Sequence, residues 1–314
     1  MNIENESFID SFQNIGFSYL GSHIPDYGVS LLSQIKNYLN LDSLFLNEED
    51  YKNQLNEFGT NPMPGRNIAE ILQIAKFFTN TKIRSAISSL LGNTYRILDY
   101  KFVVGMPRCF IPSWINNEIK GRPASNLGAY IKPEFRSCTF FSGIDYHQDI
   151  VDFPNRNPDF ITIYYYLGDV TVNDAPLIIL ENSHRLGPLI FPHKLNRKQK
   201  EFKLDGNNLI MKGNMLTGKP GDLFAWHPYI LHGTYPIENG KPRISLRIIA
   251  TRNSVIKDKS ALCNVNDNLN LNSPAKQTRI DIQKNSIGYN NEFKKDYSNS
   301  LYNDREELKL LFSK

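Results

Sequence analysis

Apolar residues recur at helical spacing through the first third of the chain and in shorter, denser clusters through its middle. Between Tyr27 and Leu39, the residues Val29, Leu31, Leu32, Ile35 and Leu39 form one stripe, as one face of an α-helix requires. The pattern repeats from Asn67 to Leu91, through Ile68, Ile71, Leu72, Ala75 and Phe78 and then Ile83, Ile87 and Leu91. Asn80-Thr81 is predicted to separate two helices there. Gly92-Asn93 is predicted to close the second, because glycine readily takes the left-handed conformation that ends a helix.

From about Tyr95 to Arg252 the character changes. β-Branched and aromatic residues dominate, cut by Gly, Pro and Asn, which is the signature of many short strands. The predicted strands are Arg96–Val104, Ala129–Ile131, Ser137–Phe141, Tyr146–Asp149, Phe160–Leu167, Leu177–Leu180, Leu223–Trp226, His232–Tyr235 and Arg243–Thr251. Helices at one end followed by a run of strands indicate a mainly β domain with added helices, built as a sandwich or barrel. We expect one domain over 1–314: helical support over 1–94, a β core over 95–252, and a polar C-terminal extension over 253–314. Within that extension Ile280–Gln283 and Arg305–Phe312 are candidate short helices.

Composition narrows the picture. The 314 residues are 40% hydrophobic and 12% aromatic, enough for a sizeable core and unlike a disordered chain. The net charge of +4 is small. It mildly favours an anionic small molecule and gives no concentrated basic patch for nucleic acid; the one short cluster, Lys194 to Lys200, reads as a solvated loop. Three separated cysteines, Cys109, Cys138 and Cys263, form no CxxC pair, which speaks against a disulfide framework or thiolate zinc site. Met1 to Asn14 lacks the apolar core of a signal peptide, and no apolar run approaches a membrane span. The expectation is a cytoplasmic protein in a reducing compartment, with no membrane partner.

The candidate chemistry starts at His147-Gln148-Asp149. On a strand, residues two apart face the same way, so an imidazole and a carboxylate can reach one metal ion. One further histidine would complete the two-His, one-carboxylate face of non-haem iron sites, which leaves coordination positions open. His-x-Asp alone is a weak signal. The third ligand is supplied by His232, which follows the turn sequence Lys219-Pro220-Gly221-Asp222 and an apolar segment. His227, five residues earlier, is the rival and is expected to sit on a loop or pack. Eleven residues after His232, Arg243 opens Arg243-Ile244-Ser245-Leu246-Arg247-Ile248-Ile249, which alternates as a half-buried strand does. Arg243, Ser245 and Arg247 share a face, and a guanidinium with a hydroxyl two residues away can bind a carboxylate. The spacing favours Arg243 for that role over Arg247, whose expected partner is an acidic residue or the substrate.

This ordered set resembles the phytanoyl-CoA dioxygenase family. The resemblance runs through His147-Gln148-Asp149, Phe153-Pro154, Arg156, Asp159, Glu181-Asn182-Ser183-His184-Arg185, Pro220-Gly221-Asp222, Leu231-His232-Gly233 and Arg243-x-Ser245, and covers about Ala129 to Thr251. Gly16-Phe17 before a short apolar run adds to it. The resemblance implies a double-stranded β-helix, a cupin-like jelly-roll of two sheets with the metal between them and an N-terminal helical layer. It implies Fe(II) on His147, Asp149 and His232, with 2-oxoglutarate as co-substrate and O2 as oxidant. Arg243, helped by Ser245, would pair with the far carboxylate of 2-oxoglutarate, and Gln148, Thr234 and Tyr165 match positions lining that pocket. The implied activity is hydroxylation of an unactivated C–H bond of a small metabolite, releasing succinate and CO2.

The chain departs from the family pattern in two turns. Glu181-Asn182 stands where the family often has Pro-Gly, and Asn173-Asp174-Ala175-Pro176-Leu177 where it often has Asn-Gly-Pro-Leu; both touch loop geometry and not the metal. Asp149 is retained, whereas related halogenases have a small residue there, so oxygen transfer is favoured. The rival outcomes are desaturation or cyclisation with the same cofactors, a non-catalytic jelly-roll that binds a metabolite, and a zinc hydrolase. The last two leave the Arg243–Ser245 pair without a purpose. Of the remaining histidines, His184 is expected to hydrogen-bond its own loop, and His193 and His23 to be ordinary surface or packed residues.

Overall fold

The computed structural model of the chain describes residues 3–58, 68–120, 122–153, 155–191, 193–253, 260–274 and 311–312. Its strands, in chain order, are β1 (Phe17–Ser22), β2 (Tyr95–Gly105), β3 (Thr139–Phe141), β4 (Ile144–His147), β5 (Phe160–Tyr166), β6 (Ile178–Leu180), β7 (Leu195–Lys198), β8 (Glu201–Leu204), β9 (Ile210–Met215), β10 (Asp222–Trp226), β11 (His232–Thr234), β12 (Arg243–Arg252) and β13 (Leu311–Phe312). Among the described residues they form two sheets. A seven-stranded sheet runs β1-β10-β5-β12-β2-β13, with β3 parallel to β2, and a six-stranded sheet runs β4-β11-β6-β9-β8-β7. The helices are α1 (Ile3–Ile15), α2 (Pro25–Tyr38), α3 (Glu48–Phe58), α4 (Ile68–Ile71), α5 (Thr81–Leu91), α6 (Ser113–Ile119) and α7 (Ala261–Asn268). This is the mainly β jelly-roll with added helices that the strand pattern and the family resemblance anticipate.

The larger sheet is buried on both faces, and its alternation places the site. On β5, Ile161, Ile163 and Tyr165 pack outward with Ile244, Leu246, Ile248 and Ala250 of β12 against the helices. Tyr164 and Tyr166 point inward with Phe224, Trp226 and Val103 toward the second sheet. The alternation of β12 therefore does not mark a half-buried strand. Arg243, Ser245 and Arg247 are all buried, and their polar side faces the space between the sheets instead of water.

The helical layer follows local rules. α2 starts at Pro25, with Asp26 in its first turn and Lys36 in its last, matching the helix dipole. Leu31 and Ile35 are buried, but Val29 is 50% exposed, because Gly28 is the residue facing the sheet; a Cβ there would lie 3.1 Å from the Tyr165 hydroxyl. The predicted break at Asn80 is a cap, its side chain accepting from the amides of Lys82 and Ile83, which satisfies two otherwise free donors. Gly92 ends α5 at φ 94°.

Several elements differ from the sequence expectation. Ala129–Ile131 is not a strand; Gly128–Tyr130 is a 3-10 turn, with Ile131 making a single bridge to Phe45. Lys194 to Lys200 is not a free loop but much of the β7–β8 hairpin, whose Arg197 lies over Phe202 and Tyr235. β1, β8, β9, α6 and α7 were unforeseen. In the tail, Ile280–Gln283 and most of 305–312 lie outside the described residues, as does Pro154, while Leu311–Phe312 pairs with Tyr95–Arg96 as a strand. Among the described residues no helix is long and apolar enough to cross a membrane.

Candidate active site

His147 ends β4 and His232 begins β11, and the two are direct partners across the antiparallel ladder. Their ring centroids lie 4.4 Å apart. Each Nδ1 donates to the carbonyl two residues back, His147 to Asp145 at 2.9 Å and His232 to Ile230 at 3.1 Å. A carbonyl can only accept, so each Nδ1 carries a proton and Nε2 is the ring atom left for a metal. The expected strand through Asp149 stops short: β4 ends at His147, and Asp149 opens a 3-10 turn over Asp149–Asp152. The carboxylate reaches the histidines by that turn and not by strand alternation. His147, Asp149 and His232 each present one ligand atom, all within 4.8 Å of one another.

Asp149 is saturated by its surroundings. Its Oδ2 accepts from the Thr162 hydroxyl at 2.7 Å and the Trp226 indole at 2.8 Å, and its Oδ1 from Arg247 at 3.2 Å. Arg247 also faces Asp99 at 3.7 Å. Burial works to raise the carboxyl's pKa, but His232, Arg247, His147 and the Thr162 hydroxyl outweigh it and hold it well below the ordinary range. Burial pulls His232 down to about 4, against the attraction of Asp149. At neutral pH the pocket therefore offers a carboxylate beside a neutral His232, a donor set that fits a divalent iron-type ion. Thr162, Trp226 and Asp99 were not anticipated. Their roles depend on neighbours from other strands, and nothing local in the sequence marks them.

A second polar group lies along the same strand. Arg243 donates from Nε to the Ala175 carbonyl at 3.1 Å and from Nη1 to the Ser245 hydroxyl at 3.1 Å. Thr234 donates to the same Ala175 carbonyl at 3.0 Å. Phe141 and Tyr164 flank the guanidinium, with ring centroids at 5.5 and 6.0 Å. Arg243 is only 3% exposed, yet its Nη2 is buried with no hydrogen-bond partner. An orphan cationic donor in a buried pocket is costly, and a carboxylate is the group that would satisfy it. Ala175 holds a left-handed φ of 49°, and Asn182 one of 66°. These are the two departures from the family turns, each bearing a side chain in a conformation that glycine adopts freely.

Other expected positions fall elsewhere. Gln148 is buried and donates to the carbonyls of Gly187 and Tyr229, while accepting from the Leu189 amide. Its amide stitches loops together and leaves little for a pocket ligand. Tyr165 lies on the outer face of β5, its hydroxyl donating to the carbonyls of His23 and Ile24; the tyrosine beside Arg243 is Tyr164. The one-residue difference is a difference of face. His227 accepts from the Tyr229 amide and pairs with Asn266 of α7, so it packs and does not join the triad. His184 does not bond its own loop: both ring nitrogens are buried without a partner, and the ring lies where a Cβ on Gly16 would stand. His193 packs edge-on against Phe191, and His23 meets the Leu20 carbonyl.

Residues 129–245 match the family model for phytanoyl-CoA dioxygenase, a span that includes the triad, Arg243 and Ser245. That span is thus similar to the phytanoyl-CoA dioxygenase family, and within it His147, Asp149 and His232 are grouped as ligands of one metal ion would be. Similar solved structures include the non-heme alpha ketoglutarate dependent epimerase SnoN from nogalamycin biosynthesis, at 14% identity and TM-score 0.49 over 79% of this chain and 82% of that one. The non-heme monooxygenase ThoJ is similar at 14% identity and TM-score 0.49, over 78% and 77%. AviO1 from Streptomyces viridochromogenes Tue57 is similar at 14% identity and TM-score 0.47, over 81% and 97%. No curated protein matches the chain in sequence.

Proposed function

We propose that the whole chain acts as one Fe(II)- and 2-oxoglutarate-dependent dioxygenase domain that hydroxylates an unactivated C–H bond of a small organic molecule. His147, Asp149 and His232 hold the iron, and Arg243 with Ser245 holds the far carboxylate of 2-oxoglutarate. With both bound, the centre supplies O2-dependent C–H hydroxylation, with succinate and CO2 as the other products. The protein's share is placement. Thr162, Trp226 and Arg247 orient the Asp149 carboxylate, the Asp145 and Ile230 carbonyls orient the two imidazoles, and the apolar inner faces of the sheets exclude water.

The observation that carries this reading is the unpartnered Nη2 of Arg243, on the strand whose Arg247 holds Asp149. A site for a metal alone has no use for a second buried guanidinium with a free donor. Anaerobic protein given Fe(II) and 2-oxoglutarate should show the weak visible charge-transfer band of the chelate. His147→Ala should abolish the band. Wild-type protein that forms no band, and no succinate when O2 is admitted with candidate substrates, refutes the reading.

A further inference from the structure

The inner face of the larger sheet carries a short series of polar side chains, and most of their hydrogen-bonding capacity is spent. Thr162 and the Trp226 indole donate to Asp149. The Tyr166 hydroxyl donates to the Leu216 carbonyl at 2.6 Å, and Thr234 to Ala175. Arg247 is shared between Asp149 and Asp99. Three donors remain uncommitted among the described residues: Nη2 of Arg243, the hydroxyl hydrogen of Ser245, and the hydroxyl of Tyr164.

Strand register places Tyr164 between the two halves of the site. Thr162, which touches Asp149, is level with Trp226 and Ile249. Tyr166 is level with Ser245, at the Arg243 end. Tyr164 lies in the row between, level with Arg247 and Phe224. Its ring packs 5.2 Å from Trp226 on one side and 6.0 Å from the Arg243 guanidinium on the other. Only 5% of the residue is exposed. A phenol in such a place normally finds a partner, and this one has none among the described residues. Burial is the largest influence on it and keeps it protonated, as a donor.

We infer that the Tyr164 hydroxyl is a third donor to the distal carboxylate of the co-substrate, beside Arg243 and Ser245, and so helps the site select a dicarboxylate. The inference rests on the proposed 2-oxoglutarate reading and names a residue that neither the family pattern nor the sequence pointed to. Three convergent donors are the complement of an anion with several lone pairs.

The test uses full-length protein loaded with Zn(II), which binds without turnover, and calorimetric titration with two probes. One is 2-oxoglutarate; the other is 2-oxopentanoate, which has the same keto-acid end and chain length but no distal carboxylate. Tyr164→Phe keeps the ring and removes the hydroxyl. It should weaken 2-oxoglutarate about 10-fold or more, the weight of one hydrogen bond to a charged group, and leave 2-oxopentanoate unchanged. Tyr165→Phe should alter neither affinity. An equal loss for both probes would mean that Tyr164 acts through packing, and unchanged 2-oxoglutarate binding would mean it makes no contact; either result overturns the inference while Arg243→Ala still impairs binding. Wild-type protein that binds neither probe would instead overturn the co-substrate reading on which the inference stands.

Discussion

Arg247 and Arg243 lie four residues apart on one strand, face the same interior and are both buried, yet they live in opposite circumstances. Arg247 is held by two carboxylates, Asp149 and Asp99. Arg243 has no carboxylate partner among the described residues, leans on a backbone carbonyl and a hydroxyl, and leaves one nitrogen unpartnered. Thus one end of the strand is electrostatically complete in the protein alone, and the other is complete only with an anion added. The completed end fixes the carboxylate of a candidate metal ligand, while the open end leaves a buried donor available to an added anion.

The sharpest way to break the comparison is to neutralise each arginine in turn. Arg247→Met strands Asp149 and Asp99 without their cation and should cost about 3–5 kcal/mol, the usual penalty for breaking a buried ion pair from one side. Arg243→Met removes a cation that no carboxylate balances, so it should cost much less in the absence of ligand while eliminating 2-oxoglutarate binding. Urea denaturation of the metal-free forms measures both. Equal destabilisation would show that the two ends are not different in kind.

The next effect is one of pH. Burial, with help from neighbouring positive charge, pulls His184 down to about 3, and burial pulls His227 down to about 4. Both stay neutral in the folded protein at pH values where the unfolded chain, near its ordinary histidine pKa of about 6.5, takes up protons. Their contribution is thus fully present above about pH 6.5 and is lost as pH falls toward their folded values, by at most about 1.4 kcal/mol per pH unit for each. The metal-free protein should lose stability steadily from pH 6.5 to 4.5. His227→Gln should flatten that slope, and an unchanged slope would show that His227 is not held neutral.

A smaller effect tests whether the closed end really orients the metal ligand. Trp226→Phe removes the indole donor to Asp149 and should weaken Co(II) binding about 10- to 100-fold, as loss of a group that supports a ligand commonly does. An unchanged dissociation constant would place Asp149's orientation with Thr162 and Arg247 alone. The smallest effect concerns the open end. Ala175 holds a left-handed backbone while its carbonyl receives Arg243 and Thr234. Ala175→Gly should relieve that strain and raise the thermal midpoint, by up to about 1 kcal/mol of stability. A lower midpoint would mean the turn is not strained.

Much of this protein could be read from residue order. The β-branched middle and helical start announced a β core under helices, and Asn80 and Gly92 marked helix ends by local chemistry that needs no tertiary context. His147, Asp149, His232, Arg243 and Ser245 stood out because their residue types and spacings are informative in one dimension. The unforeseen parts have a common cause. Tyr165 is the expected pocket residue, yet Tyr164 is the one that faces the space between the sheets, because three consecutive tyrosines carry no mark of which face is which; only the pairing of β5 with β12 and β10 decides that. The hairpin from Leu195 looked like solvated loop because its outward residues are charged.

By itself, then, the sequence determined which side chains have the chemistry to bind a metal and a carboxylate, and where most of the long periodic elements lie. Tertiary structure decided how those side chains are used. It turned Asp149 into the site through a 3-10 turn, gave Arg247 to the carboxylates and left Arg243 free, and brought Thr162 and Trp226 onto Asp149. Chemical identity is local to a residue, but whether a donor is satisfied depends on groups that sit far away along the chain and come near only when the sheets close.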